Sequence, residues 1–411
     1  MRFILIFLLN FIICNIYAQT HILNGRILDT KTNKALEGVA VYISNTSIYT
    51  ITKGDGSFQL QNIPVGNMQI IFSMVGYEKL VLTTDKIKNN DQYHLTPKVN
   101  DLDAIVIQSY DKNGWEKYGK FFLDQFIGTL SYSNECILEN YKDLKFKYYK
   151  KTKELSVTCE VPLIIKNYYL GYNIRYDLIE FRFNYSSKYL FFGGYPSFQN
   201  MDVKDSKYKR FLKRRQEAYI GSQMHFIRSL YSRSAIQEGF EMHHIWEEPN
   251  YEKQRIKIIL DSISFVNENI DSFRLIKLKF DSLYNNDSVR YFHRIIRQDD
   301  YLTLMRRIPL QINQVIQDHD STSKILIYKD QLLVLYKNKK EDINYANYNA
   351  NYRTDSCIIS LLDYLPDTQT QIHQDGSFYP FSNIVQQKYW AWSEKISNLL
   401  PFDYVPQNVK P

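Results

Sequence analysis

The sequence predicts a mainly β protein in two parts: an antiparallel β-sandwich at the front, followed by a larger α+β region built on an antiparallel sheet. Three observations predict this. Residues 22–95 alternate apolar and polar side chains between short turn clusters. From about residue 112, similar alternating runs are interrupted by three stretches of helical period. Tyrosine and phenylalanine, at 34 and 24 of 411 residues, are abundant, and their rings suit half-buried strand positions.

The chain opens MRFILIFLLNFIICNIYAQT. Arg2 precedes an apolar run to Leu9, Asn10 interrupts it, and small Ala18 stands before Gln19, which is the layout of a secretory signal peptide over residues 1–18. The apolar core is shorter than the roughly 20 residues a membrane-spanning helix needs. Cys14 is a poor lipidation site because bulky Ile13 precedes it. No later segment is apolar enough to span a bilayer. The expectation is an exported chain in the periplasm or at the cell surface, with no transmembrane segment after residue 18. A net charge of +7 is modest for this length, and export argues against nucleic acid as a partner. Cys136, Cys159 and Cys357 allow at most one disulfide. A Cys136–Cys159 pair and three free thiols both stay open.

Within the first part, Val39, Val41 and Ile43 alternate with Ala40, Tyr42 and Ser44, and Met68, Ile70, Phe72 and Met74 alternate with Gln69, Ile71 and Ser73. Both read as half-buried strands. Turn clusters fall at Asp29–Lys34, Lys53–Ser57 and Ile63–Asn67. Asp55-Gly56 is a turn dipeptide, because a two-residue hairpin loop needs positive φ, which Asp tolerates and Gly adopts freely. A calcium loop would need further carboxylates beside Asp55. The DGSF at Asp375–Phe378 reads as a second turn, not an internal repeat.

Gly25 with the strand after it, ALEGVAVYI, TKGDGSFQL, Ile63-Pro64, Gly66 and Val75-Gly76-Tyr77 together resemble the carboxypeptidase-regulatory-like domain, a transthyretin-like sandwich found at the front of exported Bacteroidota proteins and their TonB-dependent transporters. The resemblance covers residues 19–97 and implies an accessory module without catalytic residues. VNDLDAIVIQS, with Leu102, Ile105 and Ile107, is similar to the segment that begins a transporter plug, so residues 98–111 read as a linker. Too few residues remain for a plug and a 22-strand barrel, and two prolines interrupt the C-terminal DYVPQNVKP. Residues 112–411 resemble uncharacterised regions of proteins that carry this domain, which implies no activity.

In that second part Trp115, Tyr118, Phe122 and Phe126 make one face of a helix. Strands are expected at Leu144–Tyr148 and Tyr172–Phe183, the latter with a β-bulge where the apolar alternation slips between Leu178 and Phe181. A helix is expected over Lys207–Ser232, with Ile220, Met224, Ile227 and Tyr231 on its apolar face. Further strands are expected at Ile256–Leu260, Phe273–Phe280, Val289–Ile296 and Ile325–Tyr336, the last a hairpin about YKDQ. A closing helix would carry Trp392, Ile396 and Leu399 before Pro401.

Site candidates are few. His244 and Glu247 form an H-x-x-E, the pattern of two zinc ligands in carboxypeptidases, and His293, His319 or His373 could complete a site. With eight histidines in the chain such a pattern also arises by chance. Lys213, Arg214 and Arg215 cap a basic run that reads first as a solvated helix face and second as a contact for an anionic partner. FFGGYPSF reads first as a bulged turn packed under its own rings, and second as an aromatic sugar platform with Phe191 and Tyr195. No phosphate loop, nucleophile elbow or cysteine-rich metal pattern occurs, and no cofactor is expected. The leading expectation is a non-enzymatic binding or scaffolding protein of the cell envelope, with a protein or glycan partner and a peripheral outer-membrane contact. The alternatives are a zinc peptidase or other hydrolase, and a glycan-binding protein.

Overall fold

Apolar residues at every second position make the front strands fold into two facing sheets. The computed structural model describes residues 21–64, 68–98, 110–265, 287–328, 330–348, 357–365 and 369–407. The signal-peptide reading, Gly66, the plug-like segment and the strand expected at Phe273–Phe280 lie outside these residues. β1 (His21–Asp29), β2 (Ala40–Ile43), β3 (Tyr49–Ile51), β4 (Ser57–Ile63), β5 (Gln69–Ser73), β6 (Leu80–Thr83) and β7 (Asp91–Leu95) form a sheet β4-β1-β7 and a sheet β3-β2-β5-β6. The β1–β7 pair is parallel and the others are antiparallel. Ile27, Val41, Ile43, Phe58, Phe72 and Tyr93 fill the space between them.

The Asp55-Gly56 turn is present. The Gly56 N–H donates to Lys53 O at 2.8 Å, the Lys53 N–H to Ser57 O at 2.9 Å, and the Asp55 carboxylate accepts from the Ser57 N–H at 2.9 Å. Gly56 has φ +77°, and a Cβ there would lie 2.6 Å from Ile27 O, so only glycine fits. The turn does not close a hairpin ladder, however. β3 pairs with β2 and β4 pairs with β1, so it carries the chain from one sheet to the other.

The half-buried reading of β2 and β5 is also corrected: β2 is buried along both faces. Val41 and Ile43 face the sandwich core, whereas Ala40, Tyr42 and Ile71 form a second small core with Tyr195.

α1 (Gly114–Phe126) forms as its apolar face predicts and buries Phe122 and Phe126 on a six-stranded sheet. That sheet comprises β8 (Cys136–Leu138), β9 (Leu144–Tyr149), β10 (Glu154–Cys159), β11 (Leu163–Asn167), β12 (Tyr172–Asn184) and β13 (Leu190–Asn200). The expected bulge occurs in β12, between Leu178 and Glu180. The three described cysteines are free thiols.

The single helix expected over Lys207–Ser232 is two helices, α2 (Asp205–Tyr219) and α3 (Gln223–Tyr231). Ser222 interrupts them because its side chain caps the second, accepting the His225 N–H at 3.1 Å.

β14 (Phe240–Pro249) opens the last part. α4 (Tyr251–Phe265) and α5 (Asp287–Ile296) then replace the strands expected at Ile256–Leu260 and Val289–Ile296. Asn250 caps α4 by accepting the Lys253 N–H at 3.0 Å, and Tyr291 of α5 donates to Glu252 at 2.8 Å. This cap and the paired charges outweigh a short β-branched run.

There follow β15 (Tyr301–Met305), β16 (Ile316–Asp318), β17 (Ser323–Leu326), β18 (Gln331–Lys340), α6 (Ile343–Tyr348), β19 (Cys357–Tyr364), β20 (Gln371–His373), β21 (Phe378–Tyr379), β22 (Ile384–Lys388) and α7 (Tyr389–Ser393). They make sheets β15-β14-β18-β19-β22 and β16-β17-β20-β21. β17 and β18 therefore lie in different sheets, not in a hairpin about YKDQ. The turn at Asp375-Gly376 does join the β20–β21 hairpin as expected. The closing helix is only α7, after which a 3-10 turn over Ile396–Asn398 restarts beyond Glu394 and Lys395. A third core with Phe226, Phe240, Tyr336 and Trp390 lies here.

Candidate functional site

The H-x-x-E lies on β14, where side chains alternate faces. His244 and Glu247, three positions apart, therefore point to opposite sides of the sheet and cannot share a metal ion. The His244 Nε2 pairs with Asp330 at 3.0 Å, and its ring stacks 5.0 Å from Trp246. Glu247 is exposed. His243 spends its ring nitrogens on Arg306 O and Glu241. His293 lies on α5, His373 on β20, and His319 beside Asp320. Among the described residues no group of three or more His, Cys, Asp or Glu side chains could hold a metal ion.

The basic run divides on α2. Lys213 is exposed. Arg214 lies 4.2 Å over the Tyr169 ring and reaches Glu135 at 3.2 Å. Arg215 is 3% exposed, donates to Leu170 O at 2.7 Å and Gly171 O at 3.0 Å, and covers Tyr172 at 3.7 Å. Two of the three cations thus hold α2 against the end of β12.

FFGGYPSF is not a turn. It runs straight through β13, and the irregularity that its glycines suggested belongs to the facing strand β12. A Cβ on Gly194 would lie 2.3 Å from the Tyr176 ring and 2.6 Å from Asp177 O, whereas one on Gly193 would meet only Phe191 at 3.7 Å. Gly194 lets the two strands approach. Phe191 lies under Arg182, with the guanidinium 5.7 Å from the ring. Tyr195 is half-buried against Ala40, Tyr42 and Ile71 rather than presented to solvent.

That contact is the centre of a seam between the sandwich and the six-stranded sheet. Asp177, 1% exposed, accepts from Tyr42 Oη at 2.7 Å and Ser73 Oγ at 3.0 Å, and pairs with Lys79 at 3.1 Å. Arg175 Nε stands at 3.5 Å, an ion-pair distance without hydrogen-bond geometry. Burial, then the Asp177 charge, pushes the Tyr42 hydroxyl well above its ordinary range. At the edge of the seam the backbone pairs directly: the Asn45 N–H donates to Pro196 O at 2.7 Å and the Phe198 N–H to Thr46 O at 3.0 Å. The C-terminal segment closes the seam, with the Phe402 N–H on Asn45 O at 2.7 Å and Ser47 bonded to Asp403.

Beside the seam is a cavity of about 480 Å³, walled by the sandwich (Ser44, Asn45, Gln69), the aromatic end of β13, and Phe378, Phe381 and Phe402. A second cavity of about 170 Å³ shares those sandwich and phenylalanine residues. A few polar groups converge on the larger one. Gln223, 9% exposed, accepts from Gln386 Nε2 at 2.8 Å, while its own Nε2 has no partner among the described residues. Lys395 is 9% exposed, with its ammonium 5.3 Å over the Phe192 ring, and it makes no ion pair among the described residues. Burial lowers this ammonium to about 8, partly offset by the Glu394 charge, and raises the Glu394 carboxyl to about 7, partly offset by the Gln223 N–H bond and by Lys339 and Lys395.

A mainly apolar cavity of this size with a few polar groups and perturbed titrations has the character of a small-molecule site. Sequence reasoning missed it because its walls come from residues 44, 193, 223, 378 and 395, which no local pattern links. The break after Ser393, which the regular helical spacing concealed, turns Glu394 and Lys395 into the wall.

No curated protein matches the chain. Among solved structures, two type II cohesin–X-dockerin complexes from Acetivibrio cellulolyticus, interface mutants, each align at 17% identity over 18% of this chain and 51% of that chain, with TM-score 0.15. A 9R-lipoxygenase from Cyanothece PCC8801 aligns at 10% identity over 52% of this chain and 48% of that chain, with TM-score 0.16. The chain thus spans about half the length of these solved chains, and at such TM-scores the likeness carries no argument. The front is different: residues 23–107 match the family model of the CarboxypepD_reg-like domain, which takes in nearly all of the seven-stranded sandwich.

Proposed function

We propose that this is an exported cell-envelope protein with a non-catalytic binding or scaffolding role, in which the sandwich is a rigid adaptor. One observation carries the reading. The sandwich spends the centre of one sheet face, with Ala40, Tyr42, Ile71 and Ser73, on the region behind it, around the buried Asp177. A module held this way transmits orientation, whereas one on a tether does not. A domain type that is characteristically non-catalytic supports the same role, and the leader-like pattern over residues 1–18 supports export. Among the described residues no helix is long and apolar enough to cross a bilayer, and a peripheral membrane contact is part of this proposal.

The test is a distance measurement between spin labels placed at Lys34 and Lys213 of the full chain in a Cys357→Ser background. A single narrow distribution that broadens on Asp177→Ala is expected. A broad distribution in the unaltered seam would refute the rigid adaptor. Cell fractionation tests export: the full chain in the cytoplasmic fraction would refute it.

A further inference from the structure

The cavity between the sandwich, β13 and the C-terminal segment is lined by a cation, Lys395, that makes no ion pair within 4 Å among the described residues; its neighbour Glu394 lines the same space. Burying an ammonium is costly unless it is paired, yet Lys395 sits in the wall over the Phe192 ring with no carboxylate within 4 Å among the described residues. Gln223 lines the same space, but its Nε2 is buried behind the wall and does not face the cavity. The rest of the wall is largely aromatic and aliphatic, including Phe191, Phe378 and Phe402. Phe381 lines both cavities and is 48% exposed, which places an apolar entrance at the surface.

We propose that this cavity binds a small amphiphilic anion: an apolar body carrying one carboxylate, with Lys395 as its polar partner. The charge complementarity rests on Lys395: a cation that makes no ion pair within 4 Å among the described residues and rests on an aromatic ring favours an acceptor of negative charge. Glu394 lines the same cavity and opposes an anion when ionised; its Oε1 is engaged by the Gln223 backbone N–H at 3.3 Å, and burial raises the carboxyl above its ordinary range, which weakens that opposition. The volume suits a ligand of this class, since small-molecule pockets run from about 300 to 1,000 Å³.

The inference rests on the docked sandwich of the proposed function, since Ser44, Asn45 and Gln69 form one wall. The experiment is calorimetric titration of the full chain with decanoate, decanol and decylamine at submicellar concentration. Saturable one-to-one binding of decanoate is expected, with decanol and decylamine at least about tenfold weaker. Lys395→Met is expected to bring decanoate to within about threefold of decanol, while Lys213→Met, on the exposed face of α2, leaves all three unchanged. Decanol binding as tightly as decanoate to the unaltered chain would overturn the anion assignment. So would preference for decylamine. No binding of any probe, with the spin-label distances still narrow, would overturn the site itself. No binding with broad distances would instead locate the failure in the docking.

Discussion

Replacing Asp177 by alanine is the most direct perturbation of the seam. The carboxylate is 1% exposed and serves Tyr42, Ser73, Lys79 and Arg175. Breaking a buried ion pair from one side costs about 3–5 kcal/mol, because the partner charge is stranded. Here the cations are 26% and 27% exposed and can turn partly to water, so about 2–4 kcal/mol is expected. Tyr42→Phe should cost only about 1 kcal/mol, since Tyr42 Oη also reaches Tyr195 O at 3.2 Å and its loss strands no charge. The double-mutant cycle should then show a coupling of about 0.5–3 kcal/mol. Urea unfolding supplies the assay. All four tryptophans (Trp115, Trp246, Trp390 and Trp392) lie behind the sandwich, so their fluorescence reports that region alone, and hydrogen exchange at β2 and β5 reports the sandwich. In the unaltered chain the two should unfold together; in Asp177→Ala the sandwich amides should lose protection first. A change below about 1 kcal/mol with coincident transitions would refute the argument that this carboxylate fastens the two parts.

The glycine pair on β13 should separate cleanly: Gly194→Ala is expected to lose about 2 kcal/mol or more because its Cβ meets backbone at Asp177 O, while Gly193→Ala should be neutral or gain up to about 1 kcal/mol by thermal melting. Lys395→Met should raise stability at pH 7 by about 1–2 kcal/mol. The folded ammonium is depressed to about 8 from 10.5, so its contribution to stability is present above about 10.5 and lost as pH falls through about 8. The gain should therefore shrink at pH 10, where the unaltered chain has already shed this proton; denaturant midpoints at the two pH values decide, and a loss of stability at pH 7 would contradict the buried-charge account. Glu394 titrates in the opposite sense: raised to about 7 from 4.5, it favours the folded state below about 4.5 and that contribution is lost as pH rises through about 7. Zinc added to the purified chain and then dialysed should leave no stoichiometric metal that depends on His244, measured by elemental analysis of the chain and its His244→Ala variant.

What the sequence determined by itself was local. Period-two alternation placed the sandwich strands and β9, the slip after Leu178 located the β12 bulge, and the aromatic stripe from Trp115 to Phe126 marked α1, because each signal is written within one element and its neighbours. Reasoning from local pattern alone failed where a short apolar run had two readings. The strand-like Ile256–Leu260 became helical because Asn250 caps it and Glu252 and Arg255 pair along it. The long helix over Lys207–Ser232 broke because Ser222 starts a new one. The tertiary structure alone decided what lies against the outer face of the sandwich. Alternation says that Tyr42 and Ser73 share a face, but not that Asp177, more than a hundred positions away, will cover it. It decided the cavity for the same reason. Lys395, Ser44 and Phe378 have no sequence relation, and only the packing of three cores around one gap places a buried cation among sandwich and C-terminal walls.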